Sequence, residues 1–162
     1  MAKADLSAAR LRELTNYNEE TGEFTSAKRP NRVIGFLVPP KNYVRVLLDG
    51  YQYYAHRLAW LYVYGEWPKQ HIDHINGIKT DNRIANLRDV SPEVNQQNWR
   101  QATSWNKTSG LLGVCWNRRN GRWMAQISIK NRTRVIGAYS SAEEAHAAYI
   151  AAKRKLHEGC TI

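Results

Sequence analysis

The sequence predicts an α+β protein, and three observations carry that prediction. Short alternating stretches are closed by two strong hairpin pairs, Asp49-Gly50 and Asn120-Gly121. Helical patterns with readable ends stand beside them. A polar stretch over 101–110 then interrupts both periodicities. Apolar residues make up 43% of the 162 residues and charged residues 23%, which suits a packed core rather than disorder. No apolar run reaches the roughly 18 residues a membrane span needs. The opening residues lack the apolar core of a signal peptide. A cytoplasmic protein is therefore expected.

The elements follow in order. Residues 5–14 read as a short helix with Leu6, Ala9, Leu11 and Leu14 apolar, and a turn follows around Gly22. Residues 43–48 alternate, with Val44, Val46 and Leu48 on one face; the return strand is 51–55. A helix from about His56 to Tyr64 is ended by Gly65 and Pro68. Strands are expected at 70–74 and 87–90, with a polar loop between them. Ser91 then caps a helix that has Pro92 at its first position and runs to about Trp99. After the stretch at 101–110, read as a linker, come three strands in 111–139. Ser141 and Glu144 form a capping box that opens an amphipathic helix. The expected organisation is an N-terminal helix and β-hairpin region over 1–68 and a strand–strand–helix core over 69–100. The linker then leads to a C-terminal three-stranded antiparallel sheet plus one helix over 111–162.

Cys115 and Cys160 belong to no CxxC pair, which argues against a zinc ribbon or a disulfide framework. The formal net charge is +10. Residues 101–162 hold ten Lys and Arg against three Asp and Glu, so most of the excess lies there. It is interleaved with Trp and polar strand residues, a pattern that suits a polyanion partner.

The densest polar run is HIDHINGIKTDNRIANLRDVSPEVNQQN, over 71–98. If its hairpin and helix fold together, Asp73, His74, Asn86 and Asn95 can converge. These side chains suit phosphodiester hydrolysis. An imidazole with a pKa near ~6.5 can take a proton from water. A carboxamide such as Asn86 can accept the other ring N–H and fix the tautomer. Asp73 and Asn95 offer hard oxygens to Mg²⁺ or Mn²⁺, and zinc is less suited.

The segment resembles the HNH (ββα-metal) endonucleases, especially those of phage and intron homing type. The resemblance rests on His56-Arg57-Leu58, Asp73-His74-Ile75-Asn76-Gly77, Asp81-Asn82-Arg83, Asn86-Leu87-Arg88 and Asn95. It implies a general base at His74, an orienting Asn86, and metal ligands at Asp73 and Asn95. The third motif position departs from the commonest pattern, being Asn95 rather than a second histidine. Upstream, residues 11–68 resemble the N-terminal region of phage homing endonucleases through the YNEETGEF string and AHRLAW. His56 reads as a packed structural residue, His71 as a surface one, and His146 and His157 as part of a solvated helix.

Residues 109–158 resemble the plant ethylene-response-factor (Apetala-type) DNA-binding domain. The match lies at Gly113-Val114, Trp116, Gly121-Arg122-Trp123, Ala125-Gln126-Ile127, Ile136-Gly137-Ala138-Tyr139, Ala142-Glu143-Glu144-Ala145 and Ala148-Tyr149. That likeness implies a sheet laid in a DNA major groove. The first strand holds Cys115 and Asn117 where the plant domains carry arginine, so the scaffold matches better than the readers. The DNA-binding set read from the residues is Arg118, Arg119, Arg122, Gln126, Lys130, Arg132 and Arg134. Trp123 is expected in the core. Lys153, Arg154 and Lys155 are expected at a solvated helix end.

Together these readings predict a site-specific homing endonuclease. It would hydrolyse duplex DNA with Mg²⁺ or Mn²⁺, nick rather than cut both strands, and act as a monomer without a small-molecule cofactor or a membrane. Its setting would be the bacterial host of a phage or mobile element. The alternative is a non-catalytic DNA-binding regulator with a decayed HNH motif. A structural RNA-binding protein would explain the charge but not the acid–base set.

Overall fold

The computed structural model describes residues 6–40, 42–102, 106–130 and 132–162. Asp5 at the expected start of the first helix, part of the 101–110 linker and the turn residue Asn131 lie outside them. The chain forms two compact units, residues 1–92 and 93–162. Contacts thus divide at 92, whereas composition places boundaries near 68 and 100. The class is α+β, with four helices and several small antiparallel sheets among the described residues. Among the described residues no helix is long and apolar enough to cross a membrane.

In the first unit, α1 (Ala8–Leu14) starts at Ser7, whose hydroxyl accepts from the Arg10 N–H. Two small sheets follow. One pairs β1 (Thr15–Tyr17), β2 (Phe24–Ser26) and β3 (Arg29–Ile34). The other pairs β4 (Phe36–Val38), β5 (Tyr43–Leu48) and β6 (Tyr51–Tyr54). Asp49 (φ 47°) and Gly50 (φ 83°) both take the left-handed conformation, as the tight β5–β6 hairpin requires. Helix α2 (Ala55–Tyr64) stops where Gly65 turns left-handed at φ 79° and returns its N–H to Leu61 O.

The two strands of the polar run are β7 (His71–His74) and β8 (Leu87–Val90), an antiparallel pair. They have no core of their own. Ile72 and Leu87 are buried in the same cluster as Leu11, Phe24, Val46, Tyr53, Leu58 and Leu61. The N-terminal region is therefore the hydrophobic floor on which the hairpin stands, which is why the two form one unit.

The second unit holds α3 from Glu93 onward (helix Pro92–Gln97), then β9 (Val114–Asn117), β10 (Arg122–Ile129), β11 (Arg132–Tyr139) and α4 (Ala142–Leu156). The sheet runs β11-β10-β9. Ala125 and Ile127 on β10 pack with Val114, Ala145 and Tyr149. The α4 capping box is present in both directions, through Ser141 and Glu144. A bulge in β11 shifts the register between Ala125, opposite Gly137, and Gln126, opposite Val135.

Leu58 is fully buried in the shared cluster. Leu58→Ala should cost about 2–5 kcal/mol. The effect should appear as an earlier unfolding transition of the first unit in denaturant, followed by circular dichroism.

Candidate active site

The loop joining β7 to β8 is polar, and its two buried side chains are the amides of Asn82 and Asn86, which need hydrogen-bond partners within it. Asn76 donates through Nδ2 to Asp81 Oδ2 at 2.7 Å and accepts the Ile78 N–H at 2.8 Å. Arg83 closes on the Asp81 carboxylate at 2.6–2.8 Å. These interactions, led by the Arg83 hydrogen bond, hold the Asp81 carboxyl down at about 2. Asn86 ends a single short helical turn, Ile84–Asn86. Its Oδ1 accepts the Asn76 N–H at 2.9 Å, and its Nδ2 donates to Asp81 O at 2.8 Å. Asn86 is thus the staple of the loop.

His74, at the end of β7, is 5% exposed. Its Nε2 and Asn82 Oδ1 lie 3.2 Å apart. The Asn82 amide is oriented by its own Nδ2, which donates to Thr80 O at 3.3 Å. The oxygen therefore faces the imidazole, so Nε2 carries the proton and Nδ1 is the basic nitrogen. The amide that meets the ring at Nε2 is that of Asn82, whereas both ends of the Asn86 amide, the residue expected to orient the imidazole, bind loop backbone. Burial lowers the His74 pKa; the Asn82 hydrogen bond and the charges of Asp73 and Asp81 oppose it, and Lys79 adds to it. A neutral imidazole at neutral pH follows.

Asp73 is buried and stands directly opposite Arg88 in the strand register. Arg88 donates through Nε and Nη2 to Asp73 Oδ2, at 2.9 and 2.8 Å. Asn95 lies on α3, in the second unit. His71 is exposed, as a surface reading requires.

Aromatic rings wall the imidazole. His56 meets His74 edge-on at 5.2 Å between centroids, and Tyr43 lies 6.1 Å from His74. Tyr54 stacks on His56 at 5.3 Å, and Lys79 Nζ sits 5.3 Å from the Tyr43 ring centre. His56 is packed, as expected, though against the site itself. Its Nδ1 is buried with no hydrogen-bond partner among the described residues. Beside these rings opens a pocket of about 240 Å³ lined by Val38, Pro39, Pro40, Tyr43, Arg45 and Tyr54.

In the second unit, Arg118 and Arg119 occupy the β9–β10 turn and Lys130 the β10–β11 turn at φ 48°. All six cations of the expected DNA-binding set are exposed, and Gln126 is half-buried. The register divides the set. Arg122 and Gln126 share the open face of the sheet with Ser128, Asn117 and Thr133. Arg132 and Arg134 stand opposite Ile129 and Ile127, on the helix side. Trp123 packs on the core as expected, and Trp116, 39% exposed, meets it edge-on at 4.9 Å.

Three residues of α4 and its C-terminal end correct the expectation of a solvated surface. Lys153 is 1% exposed and donates to Trp99 O. Half-buried His146 pairs through Nδ1 with Leu112 O at 2.9 Å. His157 pairs through Nε2 with Ser128 O at 2.9 Å. Each of the three side chains meets a carbonyl, which offsets its burial, while His157 Nδ1 is buried with no hydrogen-bond partner among the described residues.

The same stretch of chain is recognisable among known proteins. Residues 53–97 match the HNH endonuclease family model. The match takes in His56, Asp73, His74, Asn82, Asn86 and Asn95. The chain is also 31% identical over 78 residues to Protein 3.8 of Escherichia phage T7, covering 48% of this chain. The aligned stretch spans 63% of the phage protein, under two thirds of its length. No solved structure gives a significant match.

Burial, reinforced by His74 and Arg57, drives the His56 pKa down to about 3. The unfolded chain binds a proton near ~6.5 that the folded chain refuses. Stability should therefore fall as pH is lowered from about 6.5 towards about 3. Melting temperature against pH should fall less steeply for His56→Phe than for the natural chain.

Proposed function

We propose that this protein is a metal-dependent endonuclease of homing type that nicks duplex DNA, with His74 as general base. One observation carries the reading. Within the residues that match the HNH endonuclease model, a buried, neutral imidazole is held by a side-chain carbonyl on Nε2, so that Nδ1 is basic. A base fixed in one tautomer is what proton abstraction from water needs.

The donor chemistry fits a hard divalent cation. No trio of His, Cys, Asp and Glu converges among the described residues. Asp73, in the first unit, offers a carboxylate and Asn95, in the second, an amide oxygen; each is a hard donor of the kind Mg²⁺ or Mn²⁺ takes alongside phosphate and water. When bound, the ion neutralises charge on the phosphate and the departing oxygen. His74 takes the proton of the attacking water at Nδ1. Asn82 holds the ring, and Asn86 holds the loop that carries Asn82. The wall of Tyr43, Tyr54 and His56 shields the imidazole from bulk water.

Arg118, Arg119, Arg122, Gln126, Lys130, Arg132 and Arg134 form the proposed DNA contacts of the second unit. Its sheet-and-helix order supports the likeness to the plant response-factor domain. One nuclease centre per chain favours a monomer that nicks. The phage relative supports a setting in the cytoplasm of a phage-bearing bacterium.

His74→Ala should slow plasmid nicking by about 10²–10⁴-fold while leaving DNA affinity nearly unchanged. Wild-type turnover in that variant would remove His74 from the chemistry. Chelation with EDTA should stop nicking and Mg²⁺ or Mn²⁺ restore it, with calorimetry showing that Asp73→Ala weakens Mn²⁺ binding. Arg118→Gln together with Arg119→Gln should make binding less steeply dependent on salt, by roughly 0.9 in the log–log slope for each phosphate that is no longer neutralised. An unchanged slope would place the phosphate-binding groups elsewhere.

A further inference from the structure

We infer that Tyr17 and the turn from Asn18 to Gly22 form a positioning clamp for the catalytic imidazole, acting through Asn82. The inference rests on the reading of His74 as general base. It gives a task to the upstream YNEETGEF string, which the chemistry of the loop does not otherwise use.

The path from clamp to imidazole is short. Asn82 is 3% exposed, and its Oδ1 meets His74 Nε2 at 3.2 Å. The Asn82 backbone is gripped from the other side. The Tyr17 hydroxyl donates to Asn82 O at 2.7 Å. Burial raises the Tyr17 pKa, so this hydroxyl keeps its proton. Gly22 lies flat on the next peptide: a Cβ there would stand 2.6 Å from Asn82 C and 2.4 Å from Arg83 N. Its φ of 75° also favours glycine.

The turn is itself rigid. Asn18 Oδ1 accepts from the Glu20 and Thr21 N–H groups at 2.9 and 3.1 Å, and Gly22 N–H returns to Asn18 O at 2.8 Å. Below it, the Tyr17 ring packs on Phe24 at 4.9 Å and on Tyr62 at 5.7 Å, which ties the clamp to β2 and α2. A hydroxyl and a side-chain-free peptide face thus converge independently on the residue whose side chain meets Nε2 of the imidazole. A loop with no such grip could let Asn82 rotate, and the ring could exchange which nitrogen is basic. Tyr17, Gly22 and Asn82 are positioning residues; none is proposed to touch substrate.

The test uses the full chain and reads two quantities. Imidazole nitrogen NMR of labelled protein reports the His74 tautomer. Single-turnover nicking and DNA affinity report rate and binding separately. Tyr17→Phe keeps the ring packing and removes only the hydroxyl. It should retain the fold and the DNA affinity, lose about tenfold in rate, and show a mixed His74 tautomer. Asn82→Leu should abolish the Nε2-protonated preference, and Asn82→Asp, which keeps an acceptor there, should restore it. Gly22→Ala should behave as Tyr17→Phe or worse; if it does not fold, Tyr17→Phe alone decides. A folded Tyr17→Phe with natural rate and a single tautomer would overturn the clamp. If the natural chain nicks no DNA with any divalent ion, the nuclease reading fails, and the tautomer measurement still judges the clamp.

Discussion

The first unit is organised around one constraint: the buried amides of Asn82 and Asn86 must find their hydrogen-bond partners within a polar loop. Residues 75–86 connect two strands of four residues each, too short to hold so long an excursion by backbone pairing alone. The loop therefore binds itself. Asp81, Asn76 and Asn86 close a ring of side-chain and backbone hydrogen bonds, and Arg83 neutralises the carboxylate at its centre. Networks of this kind are rigid only when every member is paired. That rigidity lets a single carbonyl hold an imidazole in one orientation.

The hydrophobic side of the same constraint explains the N-terminal region. Ile72 and Leu87 contribute little apolar area, and a two-stranded hairpin is marginal by itself. Sharing one core with Leu11, Phe24, Val46 and Leu58 gives the hairpin a foundation, and it brings Tyr43 and His56 against His74. Stability and the walling of the site thus come from the same packing.

Much of this is legible in the sequence. β5, β7 and β8 fall where alternation and turn residues place them, and the α4 capping box is where its Ser and Glu predict. β1 to β4 are not legible. Two of them are three residues of mixed character, and in β3 five of six side chains are exposed, so no period of two is written into it. Helix α3 is shorter than its capping signal implies, ending at Gln97. Of the site, Asp73 and His74 are legible from residue type. The choice between Asn82 and Asn86 is not, because both are loop amides and only the path of the chain decides which one meets the ring. Asn82 gives a single hint, its place in the Asp81-Asn82-Arg83 string. Lys153 escapes the sequence for a related reason: one lysine in a basic helix end looks like its neighbours until a carbonyl is found above it.

The bulge in β11 decides what the second unit presents. Pairing without the extra residue would set Arg134 opposite Ser128, whereas the shifted register sets it opposite Ile127 and sends Thr133 and Val135 to the open side. The middle of that side is consequently a neutral floor of an amide, two hydroxyls and an isopropyl group. Its charge is left to a rim, with Arg122 at one end of β10 and Arg118, Arg119 and Lys130 in the turns. A double helix laid on such a surface would meet uncharged hydrogen-bonding groups beneath its base edges and guanidinium and ammonium groups beneath its flanking strands. One absorbed residue has sorted a uniformly basic sequence into a frame and a centre.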